Sequence, residues 1–228
     1  MKAVLCHAFG EPDGLRVEEI EPSHLEHGQV RIGVHAAGVN FPDYLMVTGK
    51  YQVKPPLPFT PGIEAAGEII ECAPDVVDLR PGQRVVALAR RGGAFASQLT
   101  LPAPFVVPIP DTMDFATAAG FSVAYGTAHL ALTHRGQLRS GETLLVTGAG
   151  GGVGLAAVEV ALLRKTANSE ILRLISTSPG DLDLVCLGVS TRKQRTVFSP
   201  SALAASSRCR PSTSTNRAPS ARTRIGAC

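Results

Sequence analysis

Tryptophan is absent from the 228 residues, and aromatic side chains of all kinds make up only 5%. The five cysteines (Cys6, Cys72, Cys186, Cys209 and Cys228) are scattered and contain no C-x-x-C pair. Neither a disulfide framework nor a zinc site is indicated, and a reducing, cytoplasmic setting is the expectation. No apolar run approaches the roughly 18 to 20 residues that span a bilayer, so no membrane partner is expected. The opening MKAVLCHAFGEPDG has too short an apolar run and acids too early for a secretory or transit segment. Histidine is sparse as well. His24 and His27 have an H-x-x-H spacing but lie in a polar EPSHLEHGQ stretch, which reads as a solvated turn rather than a metal pair.

Charge is present but unevenly placed. Through Leu162 there are 11 Lys and Arg against 16 Asp and Glu, a net of −5; from Leu163 onward there are 11 against 3, a net of +8. The overall +3 therefore averages two unlike parts. The basic part is poor in apolar residues from Thr191 to Cys228, which predicts a disordered tail. Its arginines imply nonspecific attraction to nucleic acid, with no specific partner, because Phe198 is its single aromatic.

The break in charge falls just after the most informative stretch. Leu144, Leu145 and Val146 form a short apolar run suited to a buried parallel strand. Gly148, Gly150, Gly151, Gly152 and Gly154 follow, and Val153 to Leu163 reads as a helix. Strand, glycine turn and helix in that order make a phosphate cradle: glycines let a diphosphate approach, and the free N–H groups of the helix start face it. Gly148, Gly151 and Gly154 fall at G-x-x-G-x-x-G, while Val153 occupies the last glycine position of the plain G-x-G-x-x-G fingerprint. A merely flexible turn is the plainer alternative.

Upstream, Lys2–Cys6, Gln29–Ala36, Gly67–Cys72 and Arg84–Ala89 are short strand-like runs separated by Pro and Gly turns, which suggests a compact barrel or sandwich. From Pro110 to Leu130 the period becomes helical, with Asp111 as the expected cap.

Val39 to Gly67 carries Asn40, Asp43, Gly49-x-Tyr51, a proline-rich turn and Pro61-Gly62-x-Glu64 with Gly67. This segment resembles the signature of the zinc-independent medium-chain dehydrogenase/reductases, specifically the NADPH-dependent quinone oxidoreductases. Pro81-Gly82-Gln83-Arg84-Val85, Gly92-Gly93-Ala94-Phe95-Ala96, Tyr125-Gly126-Thr127-Ala128 and the glycine turn continue the resemblance in order, through about residue 160.

The resemblance implies an α/β fold with a GroES-like β-rich barrel domain over residues 1–125. A truncated Rossmann cofactor domain would occupy 126–190, and the disordered basic tail 191–228. It implies NADPH as cofactor and hydride transfer to a small-molecule quinone or α,β-unsaturated carbonyl. Asn40 and Ile63 stand where metal-using relatives place Cys and His, so no zinc is expected. By the same resemblance Asn40, Asp43 and Tyr51 line the substrate or nicotinamide side, and Thr127 lies near the nicotinamide. Gly148, Gly151, Gly152, Val153 and Gly154 would hold the diphosphate. Tyr51 is read either as a donor to the carbonyl oxygen or as a half-buried loop aromatic, and Asp43 either as a lining residue or as a structural one.

Beyond Ala161 the resemblance stops. Ile171–Ile175 and Leu182–Val189 read as strands without a linking helix. A change of reading frame or gene-model error near Leu162 is the expectation, with impaired activity and loss of the sheet edge through which relatives commonly dimerise. The alternative is an inactive chain that acts at most as a GroES-like binding module.

Overall fold

The computed structural model describes residues 1–140, 143–163, 172–174, 184–187 and 195–198. The chain divides into two compact units, Met1–Val123 and Ala124–Cys228.

In the first unit, β1 (Lys2–Leu5) and β2 (Arg16–Glu19) form an antiparallel ribbon. A five-stranded antiparallel sheet is built from β3 (Gln29–Gly38), β4 (Glu64–Cys72), β5 (Arg84–Leu88), β6 (Gln98–Pro102) and β7 (Val106–Pro108), in the order β6-β3-β4-β5-β7. Val30, Ile32, Ala65, Ile69, Val85, Ala87, Leu99 and Leu101 cluster in its core. The two-residue alternation of QVRIGVHA is what puts Val30 and Ile32 on that face.

The sheet is open, and the expected barrel is not formed. Its outer strands β6 and β7 do not pair with each other. Both contain proline (Pro102 and Pro108), which has no N–H to give to a closing ladder.

Two helices cross this unit, α1 (Phe41–Val47) and α2 (Phe115–Ala119). The cap of α2 is Asp114, whose Oδ1 accepts from Thr117 N–H at 2.8 Å, and not the expected Asp111. Arg84 explains the shift: its guanidinium donates to the carbonyls of Pro110, Asp111 and Met113 and so holds that stretch as a turn. Gly120 then ends α2, and a separate helix α3 runs from Ser122 to His129, followed by a π-helical turn over Leu130–Arg135. One continuous helical stretch from Pro110 is therefore replaced by a turn and two helices.

The second unit has β8 (Thr143–Thr147) leading through the glycine turn into α4 (Gly152–Leu163). Leu144 and Val146 pack with Ala156, Ala157, Val158, Val160 and Ala161 of α4, and with Ala128, Ala131 and Leu132. Alanine on the inner side of α4 allows that close approach. Strands β9 (Leu172–Leu174), β10 (Leu184–Leu187) and β11 (Arg195–Phe198) complete a sheet in the order β11-β8-β10-β9. β9 and β10 fall inside the two runs read as strands.

Next to β8, β11 runs parallel and β10 antiparallel. Within the stretch expected as a tail from Thr191, Arg195–Phe198 pairs with β8. The rest of that expected tail lies outside the described residues. Among the described residues, no helix is long and apolar enough to cross a membrane.

Candidate functional site

Asn40 sits where β3 gives way to α1. Its extended backbone (φ −125°, ψ 156°) lets it serve as N-cap, and Pro42 inside the first turn reinforces the helix start. Asn40 and Asp43 form a capping box, in which Asn40 N–H donates to Asp43 Oδ2 at 2.8 Å. Asp43 is only 3% exposed. Burial pushes its carboxyl up to about 6; the Asn40, Gly62 and Ile63 amides pull the other way, and the nearby Glu64 carboxylate adds to the rise. Oδ1 of Asp43 completes no hydrogen bond, so the Gly62 and Ile63 amides favour the anion from nearby without satisfying that oxygen.

The Asn40 side chain is held from the other side. Nδ2 donates to Glu64 Oε1 at 2.8 Å, and Glu64 Oε2 accepts from Val123 N–H at 2.8 Å. Glu64 is 1% exposed and opens the central strand β4. It joins the cap of α1 to the first turn of α3. Gly38, paired with Glu64 in the β3–β4 ladder, makes room for it: a Cβ there would lie 2.4 Å from Glu64 Oε1 and 2.6 Å from the Ala119 carbonyl. From sequence, Glu64 has no role beyond its motif. A lone acid opening the apolar run EAAGEII is the signal that could have found it.

Tyr51 is half-buried against the cluster of Cys6, Met46, Val47, Phe59 and Ile63. Its backbone N–H donates to Leu45, whereas its hydroxyl makes no hydrogen bond among the described residues. Ile63 contributes to this apolar cluster, and the Asn40 amide nitrogen is committed to Glu64. Ile63 has no donor atom and the Asn40 amide oxygen is a poor zinc ligand beside the usual Cys, His and carboxylate, so the donor set does not suit a catalytic metal.

In the second unit, Thr127 lies half-buried on α3. Gly148 adopts a left-handed φ of +67°, which bends the chain out of β8. Gly151 N–H then closes the turn on the Gly148 carbonyl at 3.1 Å. A Cβ at Gly154 would meet that carbonyl at 2.1 Å and Ala149 Cα at 2.7 Å, so the first turn of α4 packs directly on the bend. At Gly150 and Gly152 the space is open. Val153, the departure from the plain fingerprint, packs on the core between β8 and α4. The close-packing role of a third glycine has passed to Gly154, one residue later. The first N–H groups of α4 have no acceptor within the helix and adjoin that open space. These residues fit a diphosphate group.

Tyr125 on α3 donates to Glu159 on α4 and ties the two helices together. The Glu159 carboxylate, first, and burial raise the Tyr125 phenol above its usual range.

Residues 26–111 match the alcohol dehydrogenase GroES-like domain. A quinone oxidoreductase-like protein 2 homolog of Nematostella vectensis is 42% identical over 161 residues, which is 70% of this chain and 44% of that protein. Among solved structures, a probable oxidoreductase from Mycobacterium abscessus superposes with a TM-score of 0.68 at 40% identity, covering 72% of this chain and 52% of the other. The quinone oxidoreductase of Thermus thermophilus, solved alone and with NADPH, gives 0.62 at 33% identity, covering 72% and 51%. The chain thus spans about half the length of the relatives it matches. With a metal-poor donor set at Asn40 and Ile63, a glycine turn from β8 into α4 and these relatives, the chain belongs to the zinc-independent medium-chain dehydrogenase/reductases of the quinone-oxidoreductase-like family.

Proposed function

We propose that this chain carries the binding and positioning residues of a zinc-independent, NADPH-dependent reductase of quinones or α,β-unsaturated carbonyls. One observation carries the reading: the open, amide-lined turn from Gly148 to Gly154 at the start of α4. In this reading Gly148, Gly151, Gly152 and Gly154 receive the diphosphate, and Val153 seats the helix that presents their amides. Asn40 and Thr127 face the nicotinamide side, while the buried Asp43 acts through the cap it forms with Asn40. In this reading the Tyr51 hydroxyl, which makes no hydrogen bond among the described residues, serves as donor to the acceptor oxygen that gains charge. NADPH, when bound, supplies the hydride.

Electron-poor acceptors of this kind need positioning and a hydrogen-bond donor rather than a Lewis acid. That agrees with the loss of zinc donors at Asn40 and Ile63. Cys6 and Cys72 are free thiols, and a reducing cytoplasm is the compartment assigned. Binding is expected to be weak. A doubly wound sheet places parallel strands beside its first strand, whereas β10 runs antiparallel to β8 here.

Titration of the full chain with NADPH, followed by reduced-nicotinamide fluorescence, tests this. The expected result is weak but saturable binding that Gly152→Asp abolishes, since the new carboxylate enters open space facing the diphosphate. Consumption of NADPH by p-benzoquinone should be unaffected by a metal chelator. No binding by the unmodified chain overturns the reading, and so does binding indifferent to Gly152→Asp.

A further inference from the structure

We propose that Glu64 is a positioning residue that sets the orientation of the Asn40 amide toward the bound cofactor; this rests on the reading above. Glu64 is 1% exposed and forms no ion pair among the described residues. A buried carboxylate without a cationic partner is costly, and a well-packed apolar side chain would commonly serve stability better. What the carboxylate provides is two acceptors on opposite sides. Oε1 takes the Asn40 amide and Oε2 takes Val123 N–H, in the first turn of α3.

Both Glu64 oxygens act as acceptors, so it is the NH2 end of Asn40 that faces Glu64. Oδ1 of Asn40 is thereby turned away from Glu64. It has two lone pairs, and the capping box with Asp43 occupies at most one. The remaining lone pair is a fixed acceptor for a hydroxyl or amide N–H of the ligand. Without Glu64 the amide is free to turn over and present donors instead.

Glutamine cannot replace glutamate here. Its single oxygen can serve Asn40 or Val123 but not both, and its NH2 would face another donor. The reversed pair can: with Asn40→Asp and Glu64→Gln together, the glutamine NH2 faces the new carboxylate while its oxygen still accepts from Val123 N–H.

The full chain, labelled with 15N, reports this directly through the Asn40 side-chain amide signals. The unmodified chain should show slowed solvent exchange of those protons, and Glu64→Gln should speed it about tenfold or more, as expected for a lost charge-assisted bond. NADPH affinity should fall about tenfold in Asn40→Ala and in Glu64→Gln, with no further loss when the two are combined. The reversed pair should recover the urea midpoint lost by Glu64→Gln and, because the new carboxylate still offers an acceptor where Asn40 Oδ1 stood, NADPH affinity above that of Glu64→Gln.

A purely structural Glu64 would lower the midpoint and leave affinity unchanged, which overturns the proposal. Unchanged Asn40 exchange, additive affinity losses or a reversed pair that fails to refold overturn it too. If the unmodified chain binds no NADPH, the functional reading falls; the amide exchange still decides whether Glu64 orients Asn40.

Discussion

Replacing Gly38 by alanine should destabilise the first unit at the point where Glu64 is held. The new Cβ would lie 2.4 Å from Glu64 Oε1, 2.8 Å from Glu64 Cγ and 2.6 Å from the Ala119 carbonyl. None of these can retreat cheaply. Glu64 is held by Asn40 and by Val123, and the Ala119 oxygen belongs to backbone at the end of α2. Overpacking alone costs about 1–3 kcal/mol. Displacing the Glu64 carboxylate from even one donor adds about 1–3 kcal/mol, because a buried charge is left short of a partner. A loss of roughly 2–6 kcal/mol follows, a large share of the ~5–15 kcal/mol that holds a domain folded. Urea unfolding monitored by far-UV circular dichroism measures it, tryptophan fluorescence being absent from this chain. Gly126→Ala is the control. Its Cβ meets nothing within 4 Å, and it lies inside α3, so a gain of up to about 1 kcal/mol is expected. A Gly38→Ala loss below about 1 kcal/mol, the low end of the overpacking cost, would show that Glu64 is not confined as described.

Gly154→Ala should lower stability by at least ~2 kcal/mol, because its Cβ would strike the Gly148 carbonyl at 2.1 Å and Ala149 Cα at 2.7 Å, both backbone; thermal unfolding compared with Gly152→Ala, whose Cβ enters open space, checks this. The Asp43 carboxyl, raised from 3.8 to about 6 in the folded chain, binds its proton more tightly folded than unfolded. Its contribution to stability is therefore full below about pH 4 and lost as pH rises through about 6. That shift corresponds to a change of at most about 3 kcal/mol. Denaturant titrations of the unmodified chain and of Asp43→Asn at several pH values between about 4 and 7, a window set by those two pKa values, should diverge by that amount. Parallel pH dependence in the two would refute the assignment.

Local order was legible in the sequence wherever a short-range rule acts alone. Alternation placed Val30 and Ile32 on the buried face of β3, and the apolar run before the glycines placed β8 ahead of α4. Asn40 and Asp43, three residues apart, can meet at a helix start through backbone geometry, and they do. What depended on partners distant along the chain was not legible. Arg84 reaching three carbonyls decided that Asp114, and not Asp111, caps α2. Two prolines on outer strands left the sheet open where a barrel was expected. Glu64 became the junction of Asn40 and Val123 only because folding brings residues 24 and 59 positions away to its two oxygens. Hydrogen-bond capacity is written in each side chain, but which groups share a buried space is set by the fold that excludes water from it.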